Sequence, residues 1–97
     1  MRIIKRKTVS DFWQIKPDCE QSLKTWFYEC KKAQWDTPDS VRHTYPTARI
    51  LKNNRVVFNI RGNEYRLIVK INYAYGIVYI RFIGTHAEYD RINAEEI

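Results

Sequence analysis

Two hydrophobic periods divide the chain. In the first half the apolar residues recur at helical spacing, and from Ala48 onward they alternate. RIIKR at 2–6 reads as a short strand. Thr8 with Asp11 three residues on has the form of a capping box, opening a short helix with Val9, Phe12 and Trp13 on one side. Pro17 ends that helix, and Asp18 with Gln21 is a second N-cap signal. Cys19, Leu23, Trp26, Phe27, Cys30 and Ala33 then mark one face of a helix running to about Gln34. Thr37-Pro38-Asp39 begins one more helical turn, closed before Pro46.

The second half is strand-like. RILK at 49–52 is a weak strand followed by an Asn53-Asn54 turn, and RVVFNIR, EYRLIVKINY and IVYIRFI are rich in β-branched and aromatic residues. Gly62-Asn63 and Tyr75-Gly76 supply two-residue turns between them. The pattern predicts an α+β domain over 1–97, with a helical half at about 8–46 packed on one face of a small, mainly antiparallel sheet at about 48–85. A turn or short helix and a frayed acidic tail fill 86–97. Alternation sends Val56, Phe58, Ile60, Tyr65, Leu67, Val69, Ile71, Val78, Ile80 and Phe82 towards the helices. The opposite face carries Asn59, Arg61, Glu64, Arg66, Lys70, Tyr79 and Arg81, interrupted by Val57, Ile68 and Ile83. With two-residue turns, Asn59 pairs with Arg66, Lys70 with Arg81, and Arg66 with Thr85. Lys70 facing Arg81 sets like charges together, which is unfavourable unless an anion lies over them.

Composition narrows the function. The chain has 97 residues, a formal charge of +6 and 14% aromatic residues. Between residues 49 and 81 seven basic residues face Glu64 alone, so the excess positive charge sits on the sheet and points to a polyanion, with nucleic acid as the default. No apolar run reaches the roughly 18 residues of a membrane span. The basic start leads into no apolar stretch, so no signal peptide and a cytoplasmic location are expected. Cys19 and Cys30 stand eleven positions apart on one helix, about 16 Å along its axis, which predicts two buried free thiols rather than a disulfide. With only His43 and His86 besides, no zinc spacing exists, and neither metal nor other cofactor is expected.

VVFNIRGNEYRLIVKI (56–71) followed by YIRFIGTHAEYDRI (79–92) resembles the HigB family of bacterial type II toxins, within the RelE/ParE superfamily. The ordered motifs F-N-x-x-G-N-x-x-R and T-H-x-E-Y-D carry the likeness, and the helical half agrees in layout. The resemblance implies a RelE-like fold and a small ribosome-dependent mRNA endonuclease that arrests growth. It also implies a helix-turn-helix HigA-type antitoxin, joined with the toxin in a heterotetramer, with operator DNA contacted only through the antitoxin.

Metal-free RNA cleavage by the neighbouring 2′-hydroxyl needs a base for that hydroxyl, cations for the phosphate and an acid for the departing 5′-oxygen. Imidazole is the side chain whose ordinary pKa, about 6.5, suits proton transfer at neutral pH. His86 supplies one, where the resemblance implies a catalytic Arg or His just after the last strand. Arg66 matches the superfamily's phosphate-binding arginine, and a guanidinium can grip two oxygens. Tyr89 can stack on a base or hydrogen-bond near the phosphate, or pack against the sheet edge. Arg61, Asn63, Lys70 and Arg81 extend the expected RNA path. One departure stands out: RelE-type toxins carry lysines where this chain has Val57 and Asn59. Asn59 can orient a hydroxyl or phosphate oxygen but cannot abstract a proton, which leaves the base open among His86, Lys70, Asp90 and a ribosomal group. A ParE-like gyrase inhibitor and a non-catalytic RNA-binding module are the competing readings of the same scaffold.

Overall fold

A computed structural model describes all 97 residues. Strand β1 (Arg2–Ile4) leads through Lys5, in the left-handed region at φ 69°, into helix α1 (Arg6–Ile15). No side chain caps this helix, and Thr8 lies inside it, so the expected Thr8–Asp11 capping box is corrected: the left-handed kink at Lys5 starts the helix three residues earlier. A 3₁₀ turn (Pro17–Cys19) precedes helix α2 (Glu20–Lys32), and Asp18 caps neither. Its carboxylate instead accepts from the Tyr65 hydroxyl at 2.7 Å and from Arg61 at 3.1 Å, tying the helical layer to the sheet. The bond to Asp18 pushes the Tyr65 pKa up to about 12. Helix α3 (Pro38–Thr44) opens as expected on Thr37, in a capping box with Ser40.

The sheet runs β1-β5-β4-β3-β2, with β2 at Arg49–Ile50, β3 at Arg55–Ile60, β4 at Tyr65–Asn72 and β5 at Ile77–Thr85. Only β1 against β5 is parallel. The Asn53-Asn54 turn has both residues at positive φ, near 60°, which asparagine tolerates. Across the β3–β4 turn Asn59 does pair with Arg66.

Between β4 and β5 the register differs from the expectation. Asn72 pairs with Ile77, because the Asn72 side chain accepts from the Tyr75 N–H at 3.1 Å and folds Tyr73–Gly76 into a four-residue loop. A β-bulge then leaves Arg81 without a partner. Lys70 therefore faces Tyr79 rather than Arg81, and Arg66 faces Gly84 rather than Thr85. The predicted pairing of Lys70 with Arg81 does not form; the like charge directly across from Lys70 is Arg55, on β3. Beyond the bulge the alternation inverts: Ile83 joins the helix-side core and Phe82 turns to the outer face, the reverse of their expected placement.

The helix-side core joins Val9, Leu23, Trp26 and Cys30 to the inward residues of β3, β4 and β5. Phe58 sits at its centre, 5.5 Å from Trp26, 6.0 Å from Trp35 and 5.2 Å from Tyr45 between ring centroids. Cys19 and Cys30 are buried and free. No helix is long and apolar enough to cross a membrane.

The outer face is covered too, which corrects the expected frayed tail. Helix α4 (His86–Tyr89) follows β5 directly, and the chain then folds back so that Ala94 and Ile97 pack with Val57, Ile68 and Phe82. Asn93 ends this segment's drift: its main-chain oxygen accepts from the N–H of Glu96 and Ile97, both at 3.1 Å. Asn53 and Arg55 hold it down, donating to the main-chain oxygens of Glu95 and Ile97.

Candidate functional site

The site is built where β5 passes into α4. Thr85-His86-Ala87-Glu88 forms a reciprocal cap: Thr85 Oγ1 accepts from the Glu88 N–H at 3.2 Å, and Glu88 Oε1 accepts from the Thr85 N–H at 2.9 Å. The bonds from Thr85 hold the Glu88 carboxyl below its ordinary pKa. The His86 N–H donates to the Glu64 carbonyl at 3.2 Å, pinning the first residue of α4 to the β3–β4 loop. This local framework anchors the backbone that carries His86 and Tyr89, and Tyr89 also packs against the outer-face cluster.

Gly84 makes the junction possible. A Cβ built there would lie 2.5 Å from Phe82 Cζ and 3.2 Å from Glu88 Oε1. The Phe82 ring occupies the space a side chain would take, and Gly84 is the residue paired with Arg66.

Arg66 is buried, at 8% exposure. It pairs with no carboxylate. Its Nη1 donates to the Asn63 carbonyl at 3.0 Å and its Nη2 to Asn63 Oδ1 at 2.8 Å, so one residue of the β3–β4 loop holds both nitrogens of the guanidinium. Its Cζ lies 5.9 Å from the centre of the Tyr89 ring, within cation–π range. Tyr89 in turn faces His86, with ring centroids 6.5 Å apart, and its hydroxyl accepts from Arg49 Nη1 at 3.2 Å. One aromatic side chain thus links two arginines and a histidine. His86 Nδ1 lies 3.1 Å from Asp90 Oδ2, one helical turn away. A proton held on Nδ1 toward that carboxylate leaves Nε2 as the unbonded nitrogen of a half-exposed ring.

The structure therefore gathers His86, Arg66, Tyr89 and Asn63, with Asn59 opposite Arg66 on β3. It does not bring the other expected residues to them. Arg61 turns to the helical side, bonded to Glu64 at 2.6 Å and Asp18 at 3.1 Å, and Glu64 holds it more firmly protonated. Lys70 lies four residues further along β4, roughly 13 Å from Arg66. Arg81 sits at the bulge beside it and donates to the Ile97 main-chain oxygen at 3.2 Å. Arg49, in a two-residue strand, is a contributor the sequence did not single out, and Asp90, a candidate base by sequence, instead lies against His86.

Residues 19–92 match the family model described as HigB toxin, RelE-like toxic component of a toxin–antitoxin system. The chain is 28% identical over 96 residues to the mRNA interferase toxin HigB of Escherichia coli strain K12, covering 97% of this chain and 92% of that protein. It is 27% identical over 94 residues to the mRNA interferase HigB of Escherichia coli O6:H1, covering 95% and 91%. The mRNA interferase HigB of Shigella flexneri is similar at 28% over 96 residues.

Proposed function

The chain belongs to the HigB toxin family, the RelE-like toxic components of toxin–antitoxin systems, and from that premise we propose that it is an mRNA endonuclease acting through the Arg66–Tyr89–His86 site. The observation that carries the reading is the Tyr89 bridge, because it sets a phosphate grip and a proton-transfer group on either side of one ring. The relatives named mRNA interferases support the same class of activity.

In this mechanism Arg66, with its guanidinium held by Asn63, binds the non-bridging oxygens of the scissile phosphate. Arg49 and the Tyr89 hydroxyl extend that cradle. Attack by the 2′-oxygen forms a bond to phosphorus and breaks the bond to the 5′-oxygen, leaving a 2′,3′-cyclic phosphate and a 5′-hydroxyl. His86, steadied by Asp90, gives its Nε2 proton to the departing 5′-oxygen. Asn59, across the ladder from Arg66, orients the 2′-hydroxyl. Its proton passes to a base outside this set, since Lys70 is too far along β4 to receive it. Leaving the base to the ribosome would confine cutting to translated messages.

As a toxin–antitoxin component the protein has an antitoxin partner. We place that partner in the helix-turn-helix HigA class, in a heterotetramer that contacts operator DNA through the antitoxin, with the toxin working on cytoplasmic ribosomes.

Primer extension on a reporter mRNA during brief induction tests the reading, with an untranslated copy of the transcript alongside. Wild type is expected to cut inside translated codons, and His86→Ala and Arg66→Ala to lower cutting by about a hundredfold or more. Growth arrest without any cut would overturn the proposal and move the target to gyrase. Cutting that survives His86→Ala would remove the acid assigned here.

A further inference from the structure

A second cationic feature lies on the same outer face, at the opposite end of β4. A cleft of about 540 Å³ opens between the Tyr73–Gly76 loop and the Asn54 turn, lined by Lys70, Tyr79 and Arg81 together with Asn54 and Asn72. The ladder sets Arg55, Lys70 and Tyr79 in one row across β3, β4 and β5. The bulge adds Arg81 to the same face, since it stands outside the pairing.

The cations here differ in what they are already doing. Arg55 is committed: it is buried, and its three nitrogens donate to the main-chain oxygens of Ile97 and Asn53. Arg81 uses only Nε, toward Ile97, so both terminal nitrogens are unbonded. The Lys70 side chain is exposed and donates no hydrogen bond. None of the chain's salt bridges involves these three. A lysine and an arginine with both terminal nitrogens unbonded, flanking a half-exposed aromatic ring and joined to no Asp or Glu, have the chemistry of a single-stranded nucleic-acid subsite: phosphates on the cations, a base on the ring.

We propose that Lys70, Arg81 and Tyr79 form a flanking RNA subsite that binds the message away from the scissile phosphate, a reading that rests on the nuclease function above. The four-residue offset along β4 from Arg66 spans roughly 13 Å, about four stacked nucleotides at 3.4 Å each, or fewer if the strand is extended. The subsite contributes to binding and takes no part in bond cleavage. The covered apolar patch of Ala94 and Ile97 on Val57 and Ile68 lies alongside it.

Fluorescence anisotropy with a labelled ten-nucleotide 2′-O-methyl RNA, which cannot be cut, tests the subsite on the full chain. Lys70→Ala/Arg81→Ala is expected to bind about tenfold more weakly, with the log–log salt slope reduced by roughly 1.4, the value for two phosphates on a single strand. Tyr79→Leu is expected to weaken binding about fivefold or more with the salt slope unchanged. In the translated-message assay the double variant should raise the half-saturating toxin concentration about tenfold and leave the saturated rate within twofold. Ten-nucleotide binding unchanged in both variants, or a fall in saturated rate at unchanged half-saturation, would overturn the subsite. Circular dichroism of each variant separates these losses from misfolding. If wild type cuts no message, the nuclease reading fails by itself, and the oligonucleotide titration still decides whether the cleft binds RNA.

Discussion

Replacing Gly84 by alanine adds one methyl group at the point where sheet, cap and site meet. The new Cβ would stand 2.5 Å from Phe82 Cζ and 3.1 Å from its Cε1, closer than carbon atoms approach, so the ring must swing away. Phe82 packs with Val57, Ile68 and Ala94, and displacing it loosens the C-terminal segment over the outer face. Overpacking of this kind costs about 1–3 kcal/mol. The ring's far end is what is struck, and Phe82 is only partly buried, so the lower half of that range applies. At roughly 4–8 °C per kcal/mol for a domain of this size, thermal unfolding should move down by about 5–15 °C. The same methyl lies 3.2 Å from Glu88 Oε1, so RNA cleavage measured well below the new midpoint should also fall, as the α4 cap shifts His86. A double-mutant cycle with Phe82→Leu isolates the contact: Gly84→Ala should cost measurably less in the Phe82→Leu background. An unchanged midpoint for Gly84→Ala, or the same cost in both backgrounds, would refute the claim that the ring fills the space over this glycine.

Other expectations follow from the same junction. Asp90→Asn should lower the saturated cleavage rate by about tenfold or more while leaving the half-saturating concentration nearly unchanged, as befits a residue that acts through His86; a shift in half-saturation alone would contradict that role. Thr85→Ala should cost about 1 kcal/mol in a denaturant titration, the usual value of a lost N-cap. The Glu88 carboxyl, depressed below its ordinary 4.5 by its bonds from Thr85, stabilises the fold above that pH, and the contribution fades as pH falls through the lowered value. Midpoints followed from about pH 5 to pH 3 should therefore drop less steeply for Glu88→Gln than for wild type.

Local chemistry made some elements legible and hid others. A turn centred on Gly62-Asn63 gives the right β3–β4 register, so Asn59 opposite Arg66 was readable, although the ladder closes at Ile60–Tyr65 and the positive φ angles fall on Arg61 and Gly62. The β4–β5 register was not, because IVYIRFI alternates without interruption and nothing in it marks Arg81 as the bulged residue. Asp18 resembled an N-cap by spacing, yet its carboxylate serves Tyr65 and Arg61 far along the chain, a contact no local pattern encodes. Two signals were present and unread. Thr85-x-x-Glu88 is a capping box by sequence. Val57 and Ile68 stood on a face otherwise polar, and such residues need a cover, which Ile92, Ala94 and Ile97 supply. Of the site, His86, Arg66 and Tyr89 carried recognisable chemistry, whereas Arg49 enters only because α4 folds back to meet a two-residue strand.

The central claim is that cleavage proceeds by 2′-hydroxyl attack at the phosphate held by Arg66. Its most direct test is a defined message on purified translating ribosomes, with a single 2′-deoxy substitution at the nucleotide preceding the mapped cut. The all-ribose message should be cut to a 2′,3′-cyclic phosphate and a 5′-hydroxyl, and the substituted site should resist cleavage while neighbouring sites remain cleavable. Cutting at the 2′-deoxy position at the normal rate would contradict the claim.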